Sequence, residues 1–115
     1  MPPRTRKLLE DVSDAAAFIL QQTRGFSAST YENDRLVRQA VERNFEIIGE
    51  AINRLRKENP AVASRISDID QIVAFRNVLI HGYHLIDDAE VWRVIEHSLP
   101  VLHHEVQQLL GSGGK

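Results

Sequence analysis

The stretch Asp34 to Asn59, DRLVRQAVERNFEIIGEAINRLRKEN, decides the fold. Its apolar residues Val37, Val41, Phe45, Ile48, Ile52 and Leu55 recur in steps of three and four, the spacing of one helix face. The stripe is narrow, closer to a coiled-coil seam than to a broad globular face. A long helix is therefore predicted from near Tyr31 or Asp34 to about Asn59, where Pro60 pushes the preceding residue out of helical geometry. So long an amphipathic rod in a chain of 115 residues calls for other helices to cover its stripe.

Those helices are legible on both sides. Upstream, Leu8, Leu9, Val12, Ala15, Ala16, Ile19 and Leu20 form one face of a helix from Arg4 to about Thr23. Gly25 with Ser27, Ser29 and Thr30 reads as the connection. Downstream, Ala61 to Asp68 reads as a short helical turn and a linker, with Asp68 placed to cap a third long segment, Ile69 to about Ile80. Gly82 closes that segment. Asp87 and Asp88 open a last helix carrying Val91, Trp92, Ile95, Leu99, Leu102, Val106 and Leu109, which Pro100 should kink. The expected fold class is all-α, an antiparallel bundle of four main helices with room for a fifth short one. A single domain over residues 1–110 is expected, with 111–115 as a flexible tail.

Composition narrows the function classes. Cysteine is absent, which removes disulfides, thiolate nucleophiles and Cys-ligated metals. No apolar run approaches the ~20 residues needed to span a bilayer, and the basic amino end is not followed by a signal-peptide core. A cytoplasmic protein without membrane contact is expected. The formal net charge of −2 excludes a bulk polycation, so any nucleic-acid chemistry needs basic groups gathered at one site. His97, His103 and His104 do not share one helix face, and a solvated surface is expected there, with no metal and no cofactor. There is no Gly-x-Ser-x-Gly elbow and no phosphate-cradling glycine loop.

The third long segment carries a residue out of place. At about 100° per residue, Arg76 lies about 40° from Ile72, inside the arc of Ile69, Ile72, Val73, Leu79 and Ile80. A guanidinium cannot shed its proton, and burying it alone costs several kcal/mol or more. Arg76 must pair with an acid, for which Glu50 is the candidate, or reach a cleft, or face a subunit boundary. Asn77 and His81 share a face, about 140° round from Arg76 at His81 on a regular helix. Gly82 could swing the imidazole back toward Arg76. His81 alone is equally readable as a solvated or capping residue, and Tyr83 as an interfacial ring.

Together, Arg76-Asn77, His81 and Tyr83 resemble the R-x4-6-H-x-Y signature of HepT-like HEPN proteins. Arg6 to Asp11 resembles that family's opening helix, Ile47-Ile48-Gly49-Glu50-Ala51 its Ile-Gly-Glu-Ala segment, and Asp87 to Trp92 with Leu99-Pro100 its closing helix. The resemblance runs from about Arg6 to Leu109. Ser67-Asp68-Ile69-Asp70 departs from it, because relatives often carry a Pro-Trp pair there.

The resemblance implies a dimeric HEPN fold and a metal-independent ribonuclease toxin, with Arg76 and His81 catalytic and Asn77 and Glu50 in support. It also implies a nucleotidyltransferase antitoxin, of the minimal (MNT) type, that silences the protein by AMPylation of Tyr83. A different class stays open: a catalytically silent HEPN subunit that binds such a partner or a nucleotide.

Overall fold

A computed structural model describes residues 1–113. Every regular element among them is helical. The long helix of the opening stretch is α3 (Arg35–Glu58), preceded by α1 (Pro3–Gln22) and the short α2 (Ala28–Glu32). After it come the short α4 (Pro60–Ala63) and α5 (Ile69–His81). The closing rod is α6 (Asp88–Arg93), a π-helical segment over Val94–Ser98, and α7 (Leu99–Gly113). None of the described helices is long and apolar enough to cross a membrane.

Helix boundaries follow local chemistry. The Asp34 carboxylate accepts from the Val37 amide at 3.0 Å and starts α3. Asn59 ends α3 and its side chain accepts from Val62 N–H at 3.2 Å, so one residue closes one helix and opens the next. Ser27 and Thr30 form a reciprocal capping box that turns the expected connection into α2. Five residues are too few to show a 3.6-residue period, so this helix was not legible from apolar spacing.

Three expectations need correction. Asp68 occupies the N-cap position of α5, but its backbone is left-handed at φ 59° and its side chain makes no capping hydrogen bond. The start of α5 is held from outside instead: Glu105 of α7 accepts from the Ser67 amide at 3.0 Å and its hydroxyl at 2.6 Å. The irregularity assigned to Pro100 is a π turn just before it, with the Leu99 amide donating to the Val94 carbonyl. Helix α7 also continues through Gly111 to Gly113, into the stretch expected as tail; Gly114 and Lys115 lie outside the described residues.

The stripe of α3 is the axis of the core. Val41, Phe45, Ile48, Ile52 and Leu55 are buried, facing Leu9, Val12, Ala16 and Ile19 of α1 and Val73 and Leu79 of α5. Helix α1 also leans on α7, where the Gln107 amide donates to Ser13. At one end, Tyr31 is fully buried against Trp92, ring centroids 5.7 Å apart. Burial, with Glu42 and Asp88 nearby, pushes its phenol well above the usual tyrosine range. The principal neighbour of α5 is α3, and that crossing positions the site.

Candidate functional site

The α3–α5 crossing is built around a glycine. A Cβ on Gly49 would lie 2.2 Å from the Arg76 Cβ and 2.6 Å from its Cγ. Only a residue without a side chain lets the two backbones come this close, which explains a glycine mid-helix despite its cost of roughly 1 kcal/mol in propensity. The Arg76 stem runs across Gly49, and its head meets the next residue of α3, with Nη2 donating to Glu50 Oε2 at 2.5 Å. Gly49 supplies the room and Glu50 the counter-charge.

Arg76 is 22% exposed in its side chain, so it is mostly buried. Its Nη1 donates to Asn77 Oδ1 at 2.9 Å, and its Nε is buried without a hydrogen-bond partner. The second Glu50 oxygen accepts from Arg54 Nε at 3.0 Å, one turn further along α3. The hydrogen bond from Arg54, then the charge of Arg76, holds the Glu50 carboxyl below the usual carboxylate range, although burial works against this. A carboxylate so held stays ionised and keeps the arginine in place.

These groups line a cleft of about 440 Å³ between α1, α3 and α5, with Arg43, Arg54, Arg76, Glu46 and Glu50 among its charged walls. A second groove, about 370 Å³, lies on the other side of α5 over Phe45, Ile72, Phe75 and Leu102. That groove is mainly apolar and includes none of the motif residues, whereas the first includes Arg76 and Glu50.

Of the expected site residues, Glu50, Arg76 and Asn77 form one hydrogen-bonded group. His81 does not join it. Helix α5 stays helical through His81, so the imidazole is exposed, about 140° round from Arg76, and Gly82 does not swing it back. Gly82 itself sits at φ −120°, with its amide bonded to the Val78 carbonyl at 2.9 Å. Asn77 lies between the two faces, touching Arg76 on one side and standing one turn below His81 on the other. Tyr83 starts a 3-10 turn, Tyr83–Leu85.

Two contributors were missed in the sequence. Arg54 was not singled out, although an i,i+4 step from Glu50 was visible. Gly49 was read only as part of a motif, although an isolated glycine in a long helix is itself a sign of close approach. Among the described residues, no group of three or more His, Cys, Asp or Glu side chains is placed to hold a metal.

Residues 12–109 match the family described as "Ribonuclease HepT-like". The chain is 30% identical over 106 residues to a "Putative RNase" of Methanocaldococcus jannaschii, covering 89% of this chain and 93% of that one. It is 30% identical over 105 residues to a "Putative RNase" of Caldanaerobacter subterraneus subsp. tengcongensis, covering 91% and 93%. It is 29% identical over 105 residues to a "Probable ribonuclease HepT" of Thermococcus cleftensis, covering 88% and 91%. No solved structure matches the chain.

Proposed function

We propose, for a chain that belongs to the HepT-like ribonuclease family, a metal-independent endoribonuclease toxin that works as a homodimer and is silenced by AMPylation of Tyr83. The carrying observation is Arg76, held by Glu50 in the wall of a cleft with its side chain partly exposed. Such a fork is suited to grip a phosphodiester and to stabilise charge developing on phosphorus.

Cleavage then runs through His81, whose ordinary pKa lies near the operating pH. One imidazole takes the proton of the ribose 2′-hydroxyl as the 2′-oxygen bonds to phosphorus. The P–O5′ bond breaks, and the 5′-oxygen receives a proton from a second imidazole. The products are a 2′,3′-cyclic phosphate and a 5′-hydroxyl. One His81 cannot stand on both sides of the phosphorus, so two copies are needed. A two-fold dimer supplies them.

The surface of α5 supports that assembly. Apolar residues run all round this helix, yet only Val73 and Leu79 are buried. Val78 is 41% and Ile80 38% exposed, with Ala74 open and Leu85 beyond them at 68%. A helix apolar on every side is normally covered on every side. His81 lies on the outward arc with Asn77, Ala74 and Val78, the arc a second copy would cover. Light scattering at micromolar concentration is expected to give about twice the chain mass of 13.1 kDa. A clean monomer there would remove the paired site.

Control follows from position. An AMP group on Tyr83, two residues past His81 in the chain, would add bulk and negative charge at the end of α5 that carries the catalytic imidazole. Tyr31, the other tyrosine, is fully buried and closed to a modifying enzyme. A minimal nucleotidyltransferase partner with ATP is expected to add one or more AMP increments, seen by intact mass and mapped to Tyr83. Tyr83→Phe should gain none. No increment from a partner proven active, or one confined to Tyr31, would end this regulatory reading.

A further inference from the structure

Glu50 serves two arginines at once, Arg76 through one oxygen and Arg54 through the other. A carboxylate clamped between two guanidiniums at an open cleft has the charge and the paired oxygens of a phosphodiester. Arg54 is 64% exposed in its side chain and spends only its Nε on Glu50, which leaves its terminal nitrogens facing solvent. It shares the cleft face of α3 with Arg43, Ile47, Glu50 and Ala51, which recur at steps of three and four. The Asp11 carboxylate on the opposite wall is already engaged by Lys7 at 2.8 Å. The cleft wall sets Arg43, Arg54 and Arg76 against Asp11, Glu46 and Glu50, with Glu46 engaged by Arg43 and Asp11 by Lys7, so what it offers an RNA phosphate is the guanidinium fork of Arg54 and not a net excess of cations.

We propose that Arg54 is a second phosphate-gripping residue, holding an RNA phosphodiester next to the one gripped by Arg76, and that Glu50 occupies the place between the two guanidiniums in the free protein. The proposal rests on the ribonuclease reading. RNA entering the cleft supplies an anion for Arg54, and Glu50 keeps its bond to Arg76. Arg54 then contributes to affinity and substrate placement while the chemistry stays with Arg76 and His81.

The rival is an ordinary surface ion pair, of little worth to stability and irrelevant to RNA. A binding experiment separates the two. A short single-stranded RNA is titrated over a salt series into the His81→Ala chain with and without Arg54→Gln. Loss of one phosphate contact should flatten the slope of log affinity against log salt by about 0.7. Arg54→Lys should restore most of the slope, and Arg93→Gln, on α6 and outside the cleft, should leave it unchanged. With His81 intact, Arg54→Gln should raise KM several-fold with kcat little changed.

An unchanged slope and KM would overturn the proposal while RNA cleavage itself stands. A fall in kcat with slope and KM unchanged would also overturn it, because Arg54 would then act only by positioning Glu50. If the wild-type chain neither binds nor cuts RNA, the ribonuclease reading fails and the proposal falls with it.

Discussion

Arg76→Ala and His81→Ala are each expected to lower RNA cleavage by ~10²-fold or more, the usual cost of losing a charge clamp or a positioned acid and base. Their effects on the fold should differ. His81 is exposed at the last turn of α5, so removing its ring should leave the melting temperature nearly unchanged. Arg76 is mostly buried and paired, so its loss strips Glu50 of one partner and leaves a hollow over Gly49. Glu50 keeps Arg54 and stays 40% exposed, which limits the damage to a modest fall in stability. Wild-type cleavage by either purified variant, with its fold verified, would remove that residue from the mechanism.

Gly49→Ala is expected to do more harm to the fold than either active-site change. Alanine is the better helix former by roughly 1 kcal/mol, so on an open helix face this substitution stabilises. Here the new methyl would sit 2.2 Å from the Arg76 Cβ, an atom fixed to the α5 backbone that no rotamer change can move. Helix α5 must shift outward, at an overpacking cost of typically ~1–3 kcal/mol and occasionally more. A net loss of about 2 kcal/mol, near the upper end of that range after the propensity gain, would lower the melting midpoint by about 8 °C in a domain of this size. Arg76→Ala in the same chain should not rescue it, because alanine keeps the clashing Cβ. A melting midpoint equal to or above wild type would mean that α3 and α5 do not cross at this glycine.

The legible parts of the molecule were those that periodicity or charge could reveal. The α3 stripe was readable because each of its residues repeats the same constraint, and Glu50 was readable because a guanidinium in an apolar arc demands a counter-ion. The terminal geometry was harder. Asp68 has the composition of a cap but the wrong backbone, and the residue before it is instead tied down by Glu105, remote in sequence. The place of His81 depended on whether α5 stays helical to its last residue, which Gly82 left open. The clash behind Gly49 is a property of two helices crossing, and neither helix carries it alone. The sharing of Glu50 by Arg54 and Arg76 is likewise a tertiary arrangement.

The central claim is that this chain cuts RNA with its own side chains, using the ribose 2′-hydroxyl as nucleophile. The most direct measurement incubates the purified wild-type protein with a mixed-sequence RNA in excess EDTA, beside the same RNA fully 2′-O-methylated. The first is expected to be cut to fragments ending in 2′,3′-cyclic phosphate, and the second to stay intact. A strict requirement for a divalent ion, or equal cutting of the methylated RNA, would contradict the central claim.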